Sequence, residues 1–593
     1  MEPTKPGGSV KTSKVEAIKL ASQYLKTFVA DEVDNGSSHF SEEAAVVLKF
    51  HGTYQQDDRD VRKQLKKEGK EAAHQFMVRV RIVGGKLSAD QFLACDHLAQ
   101  TLGNGTLRIT TRQEFQLHGV LKDELASAVR QINEALLSTL AACGDVERNV
   151  LCCPAPLFDT IRDDLNADAL RWASHCAPRS SSYAEIWLDG EKIETLPPAG
   201  GPQVPTPGDD AVEPIYGKTY LPRKFKTAFS LPEDNCTDIH ANDLGFLGVV
   251  VSGRLVGYNV LVGGGLGTTP SAQKTFPFLG VPLCYVDRGD MLAIGEAVIK
   301  VFRDFGNRSD RKRARLKYII HDWGLPAFRA KVEEYLGRPL ADPKPLEVSG
   351  VDDHLGWHAQ GDGRLFLGIP VENGRIKDEG DFRLASGLRA FFRKFKTPAR
   401  LTCQQKILLA DLEPAWRGEI EQWLLAYGIA SVEQVSTVRR WSMACPALPT
   451  CGLAVTEAER ALPGLIDQLE VELARLGLQN ERFTVRMTGC PNGCARPYNS
   501  DIGLVGRSAH INKDGTPGPG TYTIFLGGRT IGDRLNTEFK DYIPYDQVVA
   551  ELVPVFSRFK EERRESESFG DFCDRIGVEE LARCFSSELN PVG

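Results

Sequence analysis

The sequence has no apolar run long enough to cross a membrane. A membrane-spanning helix needs about 20 consecutive apolar residues, whereas the longest candidate, residues 246–266, is interrupted by Arg254 and by six glycines. The first residues, MEPTKPGGSVKTSK, lack the apolar core of a secretion signal. The sequence therefore predicts a cytoplasmic protein without a membrane segment.

An excess of positive charge is also missing. The 593 residues contain 72 lysines and arginines against 79 acidic residues, which gives a net charge of −7. Nucleic-acid-binding proteins usually carry a basic excess or a basic patch, so this balance disfavours a nucleic acid as partner. A content of 42% hydrophobic and 25% charged residues is typical of globular proteins and excludes collagen, coiled coils and general disorder. At about 100–200 residues per domain, the length predicts three or four domains.

Fourteen cysteines are present, and most of them are far apart along the chain. A disulfide framework normally belongs to a shorter and more cysteine-rich secreted chain, so the spread cysteines do not indicate one. A dense group lies in the segments SMACPALPTC and TGCPNGC. Its members are Cys445, Cys451, Cys490 and Cys494, with the spacings C-x5-C and C-x3-C.

This group has the composition of a metal centre. A predicted helix at 456–476 and a predicted strand at 482–487 separate the two pairs, so both pairs lie on loops at element ends, where ligands converge. Four thiolates suit zinc or an iron–sulfur cluster. Gly489 and Gly493 allow backbone amides to approach the sulfurs. The wide gaps between the cysteines favour a [4Fe–4S] cluster, and zinc is the alternative.

Two segments of the chain are repeated. Residues 108–113, Arg-Ile-Thr-Thr-Arg-Gln, match residues 400–405, Arg-Leu-Thr-Cys-Gln-Gln. Residues 258–264, Tyr-Asn-Val-Leu-Val-Gly-Gly, match residues 522–528, Tyr-Thr-Ile-Phe-Leu-Gly-Gly. The long spacing indicates a duplicated domain and not a short repeat. The sequence therefore predicts an α+β fold with duplicated mixed-sheet halves, related by pseudo-two-fold symmetry around a central cofactor crevice.

The domain boundaries are predicted from a proline-rich stretch at 337–353, which is typical of a linker. Residues 1–75 are expected to form an N-terminal extension, mobile at 1–15, and the start of the first half. Residues 76–336 are the predicted first repeat half, and residues 354–593 the second, which carries the four cysteines. Local patterns predict a helix at 14–33, strands at 45–50, 76–83 and 107–110, a helix at 88–102, and an exposed insertion at 196–214.

The segments SMACPALPTCGLAVTEAER and RMTGCPNGCARPY closely resemble the cluster-binding signatures of the sirohaem-dependent sulfite and nitrite reductases. The resemblance covers the chain from about residue 15. It implies a sirohaem coupled to a [4Fe–4S] cluster. In this arrangement Cys445, Cys451 and Cys490 bind the cluster alone, and Cys494 bridges a cluster iron to the sirohaem iron. Other segments that carry the resemblance are HGTYQQDDRD, TRQEFQLHG, ERNVLCCP, YAEIWLDGEK, LPRKFKT, HANDLGFLG, YNVLVGGGLG and NRSDRKRARLKY.

The same resemblance implies a cationic pocket for the substrate, sulfite. Arginine offers a permanent charge and a fixed fork of donors, and lysine offers a compact charge that can also donate a proton. Lys224 and Lys226 lie two residues apart, so an extended backbone places both on one face with Phe225 opposite. Nitrite reductases of this family resemble PRKW followed by asparagine, so Lys226 favours sulfite over nitrite. The implied catalytic residues are Arg79, Arg148, Lys224 and Lys226.

Sirohaem carries many carboxylates, so its rim requires cations and hydrogen-bond donors. The loop Gly263–Gly267 lacks the spacing of a dinucleotide fingerprint, and its glycines are expected to allow close backbone approach to the cofactor. In the run NRSDRKRARLKY, about half of the charges are expected to lie on a solvated helix face. The implied cofactor contacts are Arg112, Gln116, His118, Asn149, Arg223, Asn492 and Cys494, with Arg308, Arg311, Lys312, Arg315 and Lys317 as further candidates.

The resemblance implies the catalytic hemoprotein of an assimilatory sulfite reductase, which reduces sulfite to sulfide with six electrons. No flavin or NADPH module is recognisable, so a separate donor protein is expected. The donor is either a diflavin NADPH-dependent reductase subunit, favoured slightly by HGTYQQDDRD, LPRKFKT and YNVLVGGGLG, or ferredoxin, favoured by CPALPTC, CARPY and IIHDWG.

Two other functions are compatible with parts of the sequence. One is a ferredoxin-dependent nitrite reductase, which reduces nitrite to ammonia. The other belongs to a different class: a structural or nucleic-acid-associated protein in which the four cysteines hold a metal.

Overall fold

The computed structural model describes residues 12–189, 213–269, 272, 274–511 and 517–586. Nearly all of the predicted insertion at 196–214, and most of the stretch 1–15 predicted to be mobile, lie outside these residues. Among the described residues, no helix is both long enough and apolar enough to span a bilayer. The cytoplasmic location stays a prediction.

Strands and helices are mixed throughout the described residues. In chain order the strands are β1 (Thr53–Asp57), β2 (His74–Val80), β3 (Lys86–Leu87), β4 (Leu107–Ile109), β5 (Phe115–Val120), β6 (Thr227–Ser230), β7 (Leu244–Val251), β8 (Arg254–Val262), β9 (Val281–Asp287), β10 (Gly356–Ala359), β11 (Leu365–Ile369), β12 (Arg375–Ile376), β13 (Asp378–Glu379), β14 (Phe382–Arg383), β15 (Ala399–Leu401), β16 (Ile407–Leu412), β17 (Ser442–Ala444), β18 (Val485–Thr488), β19 (Ile502–Ile511), β20 (Pro517–Leu526) and β21 (Thr537–Pro544).

Short 3-10 turns join many of the strands to the helices that follow them. The helices are α1 (Lys14–Ala21), α2 (Val29–Glu32), α3 (Glu42–Leu48), α4 (Arg62–Lys67), α5 (Ala89–Thr101), α6 (Leu125–Glu134), α7 (Thr160–His175), α8 (Ser182–Trp187), α9 (Met291–Phe305), α10 (Leu316–Trp323), α11 (Leu325–Leu336), α12 (Leu384–Phe395), α13 (Arg417–Ala426), α14 (Thr437–Arg440), α15 (Leu462–Leu476), α16 (Val548–Glu562), α17 (Phe569–Ile576) and α18 (Val578–Ser586).

Two five-stranded antiparallel sheets have the same strand order and exchange one strand each. The first sheet runs β1-β2-β5-β4-β12, and the second runs β10-β11-β16-β15-β3. The two-residue strand β12 therefore completes the first-half sheet, where Arg375 pairs with Arg108. In the same way β3 completes the second-half sheet, where Lys86 pairs with Arg400. The equivalent helices α5 and α12 meet in the core, with the rings of Phe92 and Phe392 4.4 Å apart.

Two further sheets repeat a second pattern. One runs β6-β7-β8-β9, and the other runs β17-β18-β19-β20-β21. In each sheet a parallel pair leads into antiparallel strands: β6 is parallel to β7, and β18 is parallel to β19. Tyr258 lies opposite Gly248 in one sheet, and Tyr522 lies opposite Gly506 in the other. The predicted α+β fold with duplicated mixed-sheet halves is confirmed.

Helix α5 begins and ends within one residue of its predicted bounds. Ser88 accepts a hydrogen bond from the amide of Gln91, whose side chain in turn accepts from the amide of Ser88. This reciprocal cap satisfies two donors that the first helical turn leaves free. The predicted strands at 76–83 and 107–110 are present as β2 and β4.

The prediction of a strand at 45–50 is wrong, because these residues belong to helix α3 and the turn after it. Ser41 caps α3 by accepting a hydrogen bond from the amide of Ala44, and Ala44, Val47 and Leu48 are buried on one face. A buried one-sided helix and a buried strand both give a short apolar run, so periodicity does not separate them. The cap at Ser41 was the informative signal.

The helix predicted at 14–33 is interrupted after α1. Gln23, Tyr24 and Leu25 have positive φ angles, a conformation that no α-helix accommodates. The side chain of Ser22 accepts a hydrogen bond from the amide of Leu25, which stabilises the turn. The helix predicted at 456–476 begins later, at Leu462, and the strand predicted at 482–487 is β18.

The stretch 337–353 is packed against the first half. The amide of Ser349 donates to the carbonyl of Pro232 at 2.7 Å, and the amide of Asn235 donates to the carbonyl of Gly350 at 2.8 Å. A side chain at Gly350 would lie 2.3 Å from the carbonyl oxygen of Glu233, so only glycine allows this approach. The domain boundaries proposed from the sequence stay predictions.

Candidate functional site

The four clustered cysteines leave neighbouring strand ends. Cys445 follows β17, and Cys490 follows β18 by two residues. Because β17 and β18 are parallel neighbours, with Ala444 opposite Met487, their carboxyl ends meet at one edge of the sheet. Cys451 lies in the loop between β17 and α15, and Cys494 lies just before the 3-10 turn Pro497–Asn499. The fold therefore brings both cysteine pairs to one place.

Backbone and side-chain N–H groups surround the sulfurs. The amide of Gly489 lies 3.4 Å from Cys445 Sγ, as the sequence predicts, and the amide of Asn492 lies beside Cys490, whose Sγ is 3.5 Å from Asn492 Nδ2. Any side chain at Gly489 would lie 2.6 Å from Ala447 Cβ and from the carbonyl oxygen of Thr456. N–H groups directed at sulfur stabilise thiolates and tune the potential of a cluster.

Burial and the neighbouring cysteines raise the pKa of Cys445, Cys451 and Cys490. Burial raises the pKa of Cys490 to about 11, and the neighbouring Cys494 and Cys451 add to the increase. Burial and the same kind of neighbours raise the pKa of Cys445. Four thiolates at this spacing require cations to balance their charge. The donor set therefore fits an iron–sulfur cluster, whose irons supply that charge.

Cys494 is exposed, and it lines a cavity that is open to solvent. The described residues that line the cavity include eight arginines and lysines and no aspartate or glutamate. This is the environment of an anionic ligand. The basic lining residues are Arg112, Arg223, Lys224, Lys226, Arg311, Lys312, Arg315 and Arg496.

Lys224 and Lys226 lie on one side of an extended segment, as the sequence predicts. The segment precedes β6, and Phe225 between the two lysines is fully buried. The amide of Phe225 donates to the carbonyl of Val146, and the amide of Arg148 donates to the carbonyl of Phe225, both at 3.0 Å. These bonds fix the segment, so both ammonium groups are directed into the cavity.

The two lysines have no acidic partner among the described residues, in contrast to Arg311 and Arg315 of the same cavity. Burial, followed by the charges of Arg223 and Arg315, lowers the pKa of Lys224 from 10.5 to about 7. Burial and the nearby Lys224 and Arg112 lower the pKa of Lys226 as well. Within the described part of the chain, neither ammonium group has a carboxylate within 4 Å or a hydrogen-bond acceptor. An anion in the cavity would supply both the negative charge and the hydrogen-bond acceptor.

The guanidinium groups, in contrast, are held by protein oxygens. Arg315 forms a two-fold contact with the buried Asp243 at 2.7 and 3.0 Å. Arg311 contacts Asp145 at 2.8 Å, and Arg112 donates to Asn242 Oδ1 at 2.9 Å. These partners fix the direction of each guanidinium and leave other N–H groups for a ligand.

Of the eleven residues that the resemblance implies as catalytic residues or cofactor contacts, the further candidates aside, five are not in the lining of this cavity. Arg79 and Gln116 lie opposite each other on β2 and β5, and Arg79 interacts electrostatically with Cys494. His118 follows on the same face as Gln116, with its Nε2 3.4 Å from Gln116 Oε1. Asn149 donates to the backbone of Arg112 at 2.8 Å. Arg148 donates to the carbonyls of Gly144 and Ala142 and interacts electrostatically with Lys224. The predicted residues in the lining itself are Arg112, Arg223, Lys224, Lys226, Asn492 and Cys494.

Several buried polar atoms beside the cavity have no hydrogen-bond partner. They include Nε of Arg79, Nε of Arg112, Nδ1 of His118 and Oδ1 of Asn149. Burial, followed by the charges of Arg375 and Arg108, lowers the pKa of His118 well below its usual value, so its ring is neutral. Unpartnered buried polar groups are costly unless a ligand satisfies them. Their number at one place fits a large polar cofactor with acidic substituents.

The glycine loop after β8 approaches protein backbone, which corrects the expectation that all of its glycines approach a cofactor. A side chain at Gly264 would lie 2.2 Å from the carbonyl oxygen of His240, and one at Gly267 would lie 2.7 Å from that of Asn492. Only Gly267 of these two also lines the cavity. Lys317 donates to the carbonyls of Gly265 and Gly267 and so holds this loop in place.

The basic run 307–318 has some of its charges at the cavity and some bound to other protein groups. The expectation that about half of them lie on a solvated helix face is wrong, because Lys312 is the only exposed cation of this run. Arg311, Lys312 and Arg315 line the cavity. Arg308 instead binds Glu16, and Lys317 is buried among carbonyl oxygens.

Sequence reasoning missed three arginine contacts. Arg496 lines the cavity and is held by the buried Asp238, which also binds Arg486 at 2.9 Å. Arg59 donates to the carbonyl of Cys451 at 3.1 Å and fixes that loop. The segment HGTYQQDDRD contains Arg59 and CARPY contains Arg496, so the signal was a charged residue inside a segment that already carried the resemblance.

Residues 167–340 and 437–591 match the family description "Nitrite and sulphite reductase 4Fe-4S domain". Residues 67–135 match "Nitrite/Sulfite reductase ferredoxin-like half domain". The two matches to the 4Fe-4S domain fall in the two halves of the chain, in agreement with the duplication.

Similar sequences extend over almost the whole chain. A sulfite reductase [ferredoxin] from Synechococcus elongatus is 45% identical over 96% of this chain and 90% of its own length. A sulfite reductase [NADPH] hemoprotein beta-component from Staphylococcus saprophyticus is 40% identical over 98% of this chain and 99% of its own length. The structure of the Mycobacterium tuberculosis NirA protein is similar with a TM-score of 0.76 at 26% identity, covering 97% of this chain and 98% of that one.

Proposed function

Because this chain belongs to the nitrite and sulphite reductase family, we propose that it is the catalytic hemoprotein of an assimilatory sulfite reductase. The reaction is the six-electron reduction of sulfite to sulfide. Curated relatives of 40–45% identity are named sulfite reductases, and this naming does not favour the nitrite reductase alternative or the non-enzymatic alternative.

The observation that carries the proposal is the pair of lysines without acidic partners beside Cys494. Two ammonium groups in one cavity repel each other, and an anion of charge −1 to −2 removes that repulsion. Lys224, Lys226 and Cys494 all line the same cavity. Sulfite is a small oxyanion of charge −1 to −2 and so meets this requirement.

The residues also fit the two cofactors of this family. Cys445, Cys451, Cys490 and Cys494 would hold a [4Fe–4S] cluster, with Cys494 shared with the iron of sirohaem. Arg112, Arg223, Arg311 and Arg315 would bind the carboxylates of the macrocycle, since guanidinium groups bind carboxylates in two-fold contacts. When bound, these groups would carry the electrons from the donor protein and supply the iron on which sulfite is held.

The protein's own task is to bind the oxyanion and deliver protons. We assign substrate binding to Arg79, Arg148, Lys224 and Lys226, as the resemblance implies. The pKa of Lys224, lowered to about 7 by burial and by Arg223 and Arg315, allows its ammonium to release a proton near neutral pH. Removal of each oxygen from sulfite consumes two protons, so a donor of this kind is required.

A separate protein supplies the electrons. Sulfite reductases related to this chain are named for two different donors, ferredoxin and NADPH. Our proposal keeps both donor classes, with the slight preference for a diflavin NADPH-dependent subunit that the sequence motifs gave.

The proposed function is tested with the purified full-length protein. Its absorption spectrum should contain the bands of a haem-type macrocycle, and reduced methyl viologen should drive turnover of sulfite with a higher kcat/KM than turnover of nitrite. A colourless protein that contains only zinc would refute the enzyme, and a strong preference for nitrite would refute the choice of substrate.

The donor is tested in parallel assays. Reduced ferredoxin is compared with NADPH plus a diflavin reductase, at equal protein concentration and low ionic strength, where charged docking surfaces are least screened. Sulfide production with the NADPH system but not with ferredoxin would support the preferred donor. Sulfide production with ferredoxin but not with the NADPH system would show that ferredoxin is the donor instead.

A further inference from the structure

A second group of metal-ligand side chains lies outside the cysteine site described above. It consists of Cys153, Asp234, Cys236 and His354, whose ligand atoms all lie within 4.8 Å of one another. The relative exposure of these four residues is only 2–6%. Neither the cavity nor the proposed reaction uses them.

This group occupies the position in the first half that the iron–sulfur ligands occupy in the second. Leu151 lies opposite Ala228 in a parallel bridge, as Met443 lies opposite Arg486 in the parallel pair β17–β18. Two residues after Leu151 comes Cys153, and two residues after Met443 comes Cys445.

The second ligand loop is equivalent as well. Asp238 and Arg496 both adopt the left-handed conformation, and each precedes a three-residue 3-10 turn. Two residues before Asp238 is Cys236, and two residues before Arg496 is Cys494. Cys153 and Cys236 are therefore the duplicated counterparts of Cys445 and Cys494.

The spacing in the first half fits one ion. Cys153 Sγ lies 3.0 Å from Asp234 Oδ2 and 3.8 Å from His354 Nε2, and His354 Nε2 lies 3.0 Å from Asp234 Oδ2. A tetrahedral zinc ion with bonds of about 2.0–2.3 Å places its ligand atoms about 3.3–3.8 Å apart. The separation of Cys153 and His354 already has this size, and the two contacts of Asp234 Oδ2 would widen by about 0.3 Å. A four-iron cube requires wider separation than these atoms have.

Backbone amides orient the carboxylate of Asp234 for metal binding. The amides of Cys236 and Asp352 donate to Asp234 Oδ1 at 3.3 and 3.2 Å. These bonds direct Oδ2 toward the two cysteines and the histidine. Outer-shell bonds of this kind orient metal ligands.

The charge of such a site is also balanced. Two thiolates and one carboxylate around a divalent ion leave a net charge of −1. Arg162 interacts electrostatically with both Cys153 and Asp234 and offsets that charge.

We propose that Cys153, Asp234, Cys236 and His354 bind one structural Zn²⁺ ion. Soft thiolates with imidazole and carboxylate select zinc over magnesium or calcium. Binding releases to solvent the protons that the two thiols and Nε2 of His354 carry. Four protein ligands leave no open position, which is the mark of a structural and not a catalytic site. The ion joins His354, which follows the stretch 337–353, to the 231–238 turn of the first half.

The test measures zinc and iron per chain in the full-length holoprotein by plasma mass spectrometry. We expect about one zinc per chain in the wild type, less than a tenth of that in Cys236→Ser, and no change in iron content. Cys284→Ser is the matched control, because Cys284 is a buried cysteine on β9 and not part of the group; it should keep its zinc. Zinc-free wild-type protein, or full zinc in Cys236→Ser, would overturn the proposal.

A second measurement needs no variant. Zinc K-edge absorption of the wild type should give two sulfur ligands at about 2.3 Å and two nitrogen or oxygen ligands at about 2.0–2.1 Å. A shell of four sulfurs would overturn the proposal, since it would place zinc at the four-cysteine site. A Cys153–Cys236 disulfide found by peptide mass spectrometry would overturn it as well.

Discussion

Equivalent loops of the two halves hold different ligands. In the second half, Cys445 and Cys494 belong to a set of four thiols, one of which is exposed to the cavity. In the first half, Cys153 and Cys236 belong to a buried set with a carboxylate and an imidazole. The same backbone arrangement therefore supports two kinds of metal chemistry. The spacing of the ligand atoms and their access to the cavity decide which one is present.

The largest expected effect separates the two equivalent cysteines, Cys494 and Cys236. Cys494→Ser should lower sulfite turnover by at least about 100-fold, because the shared thiolate between cluster and sirohaem is lost. Zinc content should not change. Cys236→Ser should lose zinc and keep the haem-type absorption bands. Activity with reduced methyl viologen, absorption spectra and metal content are the three measurements, and full activity in Cys494→Ser would contradict the bridge.

The second effect tests how the halves are joined beside the cavity. Asp238 of the first half is a buried partner of Arg486 and Arg496 of the second half. Asp238→Asn leaves two buried guanidinium groups without their anion, and such a loss costs about 3–5 kcal/mol of unfolding free energy. Urea unfolding followed by fluorescence measures it. Asp381→Asn, at an exposed position, is the control and should change the midpoint little; equal midpoints for both variants would contradict the role of Asp238.

The third effect concerns the lysines that only the first half contributes. Lys226→Asn should lower kcat/KM for sulfite by roughly 100-fold, since removing one charged donor from an anion site costs about that much. The loss for nitrite should be smaller. Steady-state kinetics on both substrates measure this difference, with Lys63→Asn on the exposed face of α4 as control. Equal losses on the two substrates would contradict a role in selectivity.

The smallest effect is a pH dependence from Lys224. Its pKa in the folded protein is about 7 and its unfolded value is 10.5, so the ammonium loses its proton as pH rises through 7. Anion affinity should therefore fall over this range. Nitrite, which keeps one negative charge throughout, should show a KM that rises several-fold between pH 6.5 and 9. Lys224→Gln should bind nitrite more weakly, with a KM that changes less with pH. If the pH dependence of KM is the same in Lys224→Gln as in the wild type, Lys224 is excluded as the titrating group.

The same shift has a consequence for stability, with a definite sign. Between pH 7 and 10.5 the unfolded chain binds the proton of Lys224 and the folded chain does not. The unfolded state therefore holds more protons, and the contribution of Lys224 to the unfolding free energy rises with pH across this window. Below pH 7 the lysine is charged in both states and its full desolvation cost is present.

The sequence predicted the fold best where the same local motif occurs in both halves of the chain. The duplication was visible in Arg108 and Arg400 and in Tyr258 and Tyr522, and the sheets have the register that these pairs predict. The extended geometry of Lys224 and Lys226 followed from their spacing alone. In contrast, the run at 45–50 gave no periodicity that separates helix from strand.

Long-range constellations were beyond the reach of local patterns. Cys153, Asp234, Cys236 and His354 lie on three segments far apart in the chain, and only the fold brings them together. The pair of Asp238 and Arg496 has the same character. The roles given to the predicted site residues stay proposals, since their placement beside the cavity does not by itself test their chemistry.

The exchange of β3 and β12 between the two antiparallel sheets has a consequence for biosynthesis. When the first half leaves the ribosome, the edge of β4 has no neighbour until residues 375–376 are made. An uncovered strand edge is a site for aggregation, and larger chains are most vulnerable in such intermediates. Until β12 has been synthesised, the nascent chain therefore needs either a bound chaperone or slow translation. If the two halves are expressed as separate chains divided within the 337–353 stretch, both products should be insoluble.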